Sequence, residues 1–211
     1  MIRPVTSADY PALKALWRVC FGDEDAWIDA FLAAFGQYGV CAEADGRIAA
    51  AAYALPMGEA VYIYGVAALP ALRGRGLGQA VTEAAAAGRP AYLCPASVSL
   101  RRWYEERMGA VPAAPMPCRM LPAGEQVPLS AEEYSEAREA LLRDVPHVRY
   151  PLPMLRFFAS AENGGRFFRA GEHICAAEGD EPREVLPGES GGTYILGLNN
   201  APPCYFGMAL D

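Results

Sequence analysis

The sequence predicts an α+β fold, a mostly antiparallel twisted sheet flanked by helices, with a smaller α+β region at the carboxyl end. Three observations predict it. Two runs of helical apolar periodicity open the chain. An antiparallel meander follows them. The order strand, glycine-rich loop, helix, strand, helix then completes the first 110 residues. With 211 residues, 53% of them hydrophobic and 20% charged, the chain has enough apolar side chain for a sizeable core.

Each element has its own signal. Ile2–Val5 is a short apolar opening strand. Thr6 and Asp9 fit a capping box, a hydroxyl with an acid three residues on. Leu13, Leu16, Trp17, Cys20 and Phe21 then fall on one helical face, and Gly22 ends that helix. Asp23 caps the next, whose face carries Ile28, Phe31, Leu32 and Phe35. Val40–Glu43 and Arg47–Leu55 flank Ala44-Asp45-Gly46, a tight hairpin turn. Ala60–Ala68 is the third strand of the meander. A helix runs from about Gly76 to Ala87, Ala91–Cys94 is a short buried strand, and Leu100, Trp103 and Tyr104 mark another helix that Gly109 ends. Val111–Leu121, rich in proline, is an edge strand or extended segment.

Leu121–Ser130 reads as a linker, which sets expected domains at 1–122 and 130–211. The second region echoes the first: Ser130-Ala131-Glu132-Glu133-Tyr134 resembles Ser7-Ala8-Asp9-Tyr10, and Ile174–Asp180 resembles Val40–Gly46. It reads either as a degenerate copy of part of the first domain or as an α+β cap. It has no counterpart of the glycine loop.

Composition excludes several functions. Eighteen basic against 25 acidic residues, net −7, lacks the basic footprint of a nucleic-acid surface. The start has no basic segment followed by an apolar one, and the longest apolar run, Ile48–Met57, is about half of the roughly 20 residues a membrane span needs. A cytoplasmic protein with no membrane or nucleic-acid partner is expected. The six cysteines have no CxxC pair and read as reduced core thiols; with the two histidines far apart, no metal site is expected. The near-exclusive use of Arg over Lys, 17 to 1, reads as bacterial-type base composition.

Chemistry concentrates in Tyr62–Ala80. A strand passes through a proline turn into a loop with Gly74, Gly76 and Gly78 that opens a helix. Glycines let backbone amides approach an anion closely, and a helix N-terminus adds positive potential. A pyrophosphate is the expected guest. The GxxxxGK[ST] loop is excluded because no Lys follows Lys14, and GxGxxG fails because its sixth position is Gln79. What remains is Arg73-x-x-Gly76-x-Gly78.

That loop resembles the acetyl-CoA pyrophosphate loop of the GNAT N-acetyltransferase superfamily, and Val66 to Pro70 resembles the family's fourth strand. Trp103-Tyr104-Glu105-Glu106-Arg107-Met108-Gly109-Ala110 is similar to the family's F-Y-E-K-x-G-F motif. Ser97 stands where many members have Asn, and Ala110 where Phe is usual. The resemblance covers about residues 1–120. It implies an acetyl-CoA-dependent N-acetyltransferase with no metal, acting on a small-molecule amine; a peptide or protein amine, or a non-catalytic acyl-CoA sensor or scaffold, are the alternatives. Family habit favours a homodimer.

The resemblance also implies roles. The backbone of Val66 and Ala68 would hold the pantetheine arm. Arg73, Gly74, Arg75, Gly76, Gly78 and Gln79 would hold the pyrophosphate. Tyr104 would be the general acid toward the leaving sulfur, or would merely pack beside Trp103. Tyr62 and Tyr64 share a strand face and either line an acceptor pocket or pack. The base has no clear candidate: Glu59 stands at the strand start, and Asp211 would supply a C-terminal carboxylate, as in Eis-type relatives. Arg101 and Arg102 either contact the 3′-phosphate of CoA or cap a solvated face. Cys94 reads as packing.

Overall fold

The computed structural model describes residues 1–117, 120–188 and 190–208. The chain opens with β1 (Ile2–Pro4), α1 (Tyr10–Cys20) and α2 (Asp25–Phe35), then the meander β2 (Gly39–Ala44), β3 (Arg47–Met57) and β4 (Ala60–Ala68). The β2–β3 turn is the expected one: Asp45 and Gly46 both take positive φ, 51° and 73°, which a tight two-residue hairpin of this twist requires. Next come α3 (Leu77–Ala86), β5 (Ala91–Leu93), α4 (Val98–Met108) and β6 (Val111–Pro117).

The remaining elements are β7 (Val127–Leu129), α5 (Ala131–Leu141), α6 (Leu152–Phe158), β8 (Gly165–Ala170), β9 (His173–Glu178), β10 (Glu181–Leu186) and β11 (Ser190–Leu198). Two sheets result. The first has seven strands in the order β1-β2-β3-β4-β5-β11-β6, and the second has four in the order β10-β9-β8-β7. All pairs are antiparallel except β4 with β5.

The sheets do not divide where the sequence places the boundary. β11 lies inside the expected second domain, yet it pairs with β5 and β6 in the first sheet, with Leu196 opposite Leu93 and Ile195 opposite Ala114. The four-stranded unit is therefore inserted between two neighbouring strands of the first sheet. The expected linker also contains β7, paired with Phe167–Arg169 of β8. Period-2 patterning is weak in these strands, which explains why they do not stand out: β10 is Glu-Pro-Arg-Glu-Val-Leu and β11 is glycine-rich. β6 takes the sheet edge, where its prolines cost no ladder bond on the outer side.

The first sheet is covered on both faces. On one, Trp17 of α1 meets Phe31 of α2 (ring centroids 4.8 Å apart) and Tyr53 of β3 (5.7 Å). On the other, Val81 and Ala85 of α3 and Tyr104 of α4 pack on Ile63 and Leu93. The second unit docks on the first face. Phe157 of α6 lies 5.1 Å from Phe35 and 5.7 Å from Trp27, whose indole N–H donates to Asn163 at 3.0 Å. Cys20, Cys41, Cys94, Cys175 and Cys204 are free thiols, and Cys118 lies outside the described residues.

Candidate active site

β4 and β5 run parallel but pair only at Val61–Ala91 and Tyr62–Tyr92. Past Tyr62 the strands part, and β4 continues to Ala68 without a partner on that side. A bulge sharpens the parting, because Gly65 and Val66 oppose the single residue Ala52. Gly65 has φ +58°, and a Cβ there would lie 2.8 Å from the Trp17 ring. Only glycine fits both the left-handed turn and the indole behind it.

A cavity of about 740 Å³ opens at this point, within the range of small-molecule sites. One wall is the end of β4 (Val66–Ala68) with the loop and first turn of α3: Leu72, Arg73, Gly74, Gly76, Leu77, Gly78 and Gln79. The other is α4, through Leu100, Trp103, Tyr104 and Arg107, with Cys20 and Phe21 from the end of α1 and Ala96 completing the lining. Among the described residues, no Asp, Glu or His lines it. Two guanidiniums do, in a chain of net charge −7.

The loop shows why it is written in glycine. Gly74 and Gly76 take φ +80° and +76°, and Gly76 is the left-handed N-cap of α3. Gly78 differs. Its φ lies outside the left-handed range, and a Cβ built there would meet nothing within 4 Å. Nothing inside the protein demands glycine at 78; the space over it belongs to the cavity. An anion bound against the α3 N-terminus would fill that space, so the donors fit a pyrophosphate.

Arg73 lines the cavity, with its Nε 3.3 Å from the Ala68 carbonyl. The Cys20 thiol reaches the same carbonyl at 3.5 Å. Arg75 does not line the cavity. Its guanidinium points to Asp45 in the β2–β3 turn, 3.7 Å away, and is 59% exposed.

Tyr104 is 7% exposed, stands T-shaped against Trp103 at 4.8 Å, and hydrogen-bonds with Thr82 of α3. Thr82 in turn donates to the Gly78 carbonyl at 2.8 Å. Burial pushes the phenol up to about 12, with the Thr82 bond acting the other way. The segment Trp103–Ala110 is one residue longer than F-Y-E-K-x-G-F. The last turn of α4 absorbs the extra residue: the amides of Gly109 and Ala110 both reach the Tyr104 carbonyl, five and six residues back.

Other expected site residues lie elsewhere. Glu59 sits exposed in the β3–β4 turn, at the opposite end of β4 from the cavity, because the strand runs away from it toward Ala68. Tyr62 is 1% exposed with Phe206 on its ring (5.2 Å), so it packs rather than lining a pocket. Tyr64 is half-buried beside Phe31 and Trp17, on the sheet face away from α3. Asp211 lies outside the described residues. Arg101 pairs with Glu105 at 2.9 Å, and neither it nor Arg102 lines the cavity. The sequence reading missed Arg107, Leu100 and Phe21. The spacing Leu100, Tyr104, Arg107 was the available signal, one face of α4 at i, i+4, i+7.

The fold and this cavity define a class. The family model of the acetyltransferase (GNAT) family matches residues 4–109, half of the chain, and the chain belongs to that family. Among solved structures, a putative acetyltransferase from Pyrococcus horikoshii superposes with a TM-score of 0.66 at 11% identity, covering all of this chain and 94% of that one. GCN5-related N-acetyltransferases from Kribbella flavida and Anabaena variabilis give 0.60 and 0.58 at 14% and 13% identity, covering 91% and 88% of this chain. The chain spans only 57% and 53% of their lengths. At these identities the likeness is one of fold. No curated protein matches the sequence. Among the described residues, no helix is long and apolar enough to cross a membrane, and no cluster of three or more His, Cys, Asp or Glu is placed to hold a metal ion.

Proposed function

We propose that this chain is an acetyl-CoA-dependent N-acetyltransferase acting on the primary amine of a small molecule. The observation that carries the reading is the cavity lining: a helix N-terminus with glycine amides and two guanidiniums, beside the opening between two parallel strands. Such a lining suits a phosphorylated ligand with a long neutral arm. Acetyl-CoA, when bound, supplies the activated acyl group as a thioester.

The chain's own residues then have distinct tasks. The amides from Gly74 to Gln79, with Arg73, bind the diphosphate. The backbone of Val66 and Ala68, on the side of β4 that β5 leaves uncovered, orients the amide-bearing arm, as a strand edge orients an added strand. Tyr104, whose hydroxyl meets Thr82 in the free protein, would turn its proton to the sulfur. Its pKa of about 12 lies some three units above that of an ordinary thiol, near 8.5, so hydrogen bonding to the leaving sulfur is favoured over surrender of the proton. The acceptor amine, with an alkylammonium pKa near 10.4, is about one part in a thousand or less neutral at pH 7 and must lose a proton. Among the described residues the cavity lining supplies no carboxylate or imidazole for that step.

A second reading is an acyl-CoA sensor without turnover, since among the described residues the lining carries no Asp, Glu or His. Two measurements separate them. A thermal-shift titration with acetyl-CoA tests the site; a ligand at 100 times its Kd adds about 2.7 kcal/mol of stability. Thiol release across a panel of amines tests turnover. Binding with acceptor-dependent thiol release supports the enzyme, binding without it supports the sensor, and no shift at millimolar acetyl-CoA refutes both.

A further inference from the structure

The cavity is not confined to the side of the sheet that carries α3 and α4. Its lining also includes Ala67, Cys20 and Phe21. Ala67 and Cys20 pack with the core on the α1 side, so the cavity reaches that side at the end of α1. The walls there are apolar, and the Cys20 thiol is already turned to the Ala68 carbonyl. The buried indole of Trp17 ties this end together. Its six-membered ring lies behind Gly65 at the bulge, the Phe21 ring stands 5.1 Å from it, and its N–H donates to Asp23 at 2.6 Å. Gly22, at φ +83°, turns the chain between Phe21 and Asp23, so that both meet the one indole. Asp23 also differs from the acids that follow it. Asp25 and Asp29 are engaged by Arg18 and Lys14, whereas Asp23 is held through one oxygen by a neutral donor and stays exposed. A carboxylate fixed in this way keeps its charge for an incoming cation.

We infer that Phe21 and Asp23 bind the acceptor, and that the acceptor is an amine with an apolar or aromatic body: the ammonium is recognised by Asp23, and the body packs on the exposed Phe21 ring. The inference rests on the acetyltransferase reading above and narrows its substrate. Binding of the ammonium precedes the loss of its proton, which is a separate step. A polyamine or an aminosugar carries polar groups every few atoms, and the walls of Phe21, Cys20 and Ala67 would leave those groups without partners. A structural role competes, because a buried indole N–H needs an acceptor and Asp23 supplies one. Asparagine supplies the same oxygen without the charge, so Asp23→Asn separates the two roles.

The test measures by calorimetry how tightly phenethylamine and spermidine bind the protein saturated with coenzyme A. Thiol release from acetyl-CoA is followed with each amine in parallel. The proteins are the wild type, Asp23→Asn, Phe21→Ser and, as control, Asp29→Asn. The wild type and the control should bind phenethylamine at least about tenfold more tightly than spermidine. Asp23→Asn should bind phenethylamine about tenfold more weakly, the scale of one hydrogen bond to a charged group, with melting temperature and acetyl-CoA affinity unchanged. Phe21→Ser, which leaves the indole–carboxylate bond in place, should lose the preference for phenethylamine over spermidine. Spermidine bound as tightly as phenethylamine by the wild type, or phenethylamine bound by both variants as by the wild type, overturns the assignment while leaving the coenzyme site standing. Phenethylamine bound in the expected pattern without thiol release supports the amine site and overturns acetyl transfer to it. A wild type that does not bind acetyl-CoA overturns the coenzyme reading itself.

Discussion

Two stretches of the molecule run through the same order of elements. The elements β1-α1-α2-β2-β3-β4 and β7-α5-α6-β8-β9-β10 come in the same order, and the two sets of four strands pair in the same order, all antiparallel. Both start at a capping box: Asp9 accepts from the Thr6 amide, and Glu133 from the Ser130 amide, each at 2.8 Å. They differ in two places. The first unit fills its core with an aromatic cluster around Trp17, whereas the second buries an ion pair. Arg138 donates from Nε to Glu184 at 3.0 Å, and Tyr134 hydrogen-bonds the same carboxylate. After the fourth strand, the first unit runs into the glycine loop and α3, while the second returns to the first sheet as β11. The order of elements is common to both, and among the described residues the candidate chemistry lies beyond the fourth strand of the first.

The largest effect should come from severing the units. A chain ended at Ser130 loses β11 from between β5 and β6, leaving two strand edges unpaired. It is expected to fail to fold, as judged by loss of a cooperative thermal transition. Joining residue 117 to residue 190 through a short turn should do better, because Pro117 and Ser190 are already paired as hairpin neighbours. If the truncated chain folds and the spliced one does not, the inserted-unit topology is wrong.

Next in size is the buried pair. Arg138 and Glu184 are 1% and 0% exposed; burial opposes the charge on Arg138, while Glu184 together with Tyr150 and Tyr134 raises its pKa on balance. Arg138 also donates to the carbonyls of Val148 (2.8 Å) and Phe206 (3.2 Å), and the Phe206 ring reaches Tyr62 and Tyr92, the last paired residues of β4 and β5. Arg138→Met strands a buried carboxylate and should cost about 3–5 kcal/mol in a denaturant titration. The double variant Arg138→Met, Glu184→Leu should recover part of that loss. A single variant as stable as the wild type would show that this core does not depend on its charges.

The same contrast explains what could be read from the sequence. The first unit was legible because its signals are local: apolar faces at helical spacing, an Asp-Gly turn, and glycines forced by positive φ. The second was half legible. Ser130 and Glu133 announce α5, but Glu184 and Arg138 are 46 residues apart, and a charged residue gives no sign that it will be fully buried against a distant partner. β11 was illegible for another reason. Its place is set by the free edges of β5 and β6, a tertiary demand that local patterning does not carry. In the site, the loop and Tyr104 were legible as motif. Tyr62 stayed open between lining a pocket and packing because the ring that covers it, Phe206, comes 144 residues later.

A smaller effect tests Tyr104 by pH. Its pKa is raised from 10 to about 12 by burial, so between those values the folded state keeps a proton the unfolded state has lost. Stability therefore falls as pH rises through that window. Other buried tyrosines, Tyr53 and Tyr92 among them, share this alkaline loss. Tyr104→Phe removes one share. The stability difference between wild type and variant should be constant from pH 7 to 9 and shrink above pH 10. With an acceptor found, the variant should also lower kcat at every pH with little change in acetyl-CoA affinity. Unchanged kcat would leave Tyr104 as a strut between α4 and Thr82.

The finest comparison is within the loop itself. At Gly76, φ +76° makes any side chain strained, so Gly76→Ala should lose about 1–2 kcal/mol of stability and coenzyme affinity together. Gly78 is an ordinary helical residue with open space over it, so in the free protein Gly78→Ala should gain up to about 1 kcal/mol from helix propensity. If a phosphate approaches that backbone, the added methyl occupies its place, and acetyl-CoA affinity should fall about tenfold or more while the melting temperature rises. Stability and affinity would then move in opposite directions, which no general damage to the loop can produce. Should affinity stay level as stability rises, the ligand does not approach residue 78, and the glycine there serves nothing that the α3 N-terminus binds.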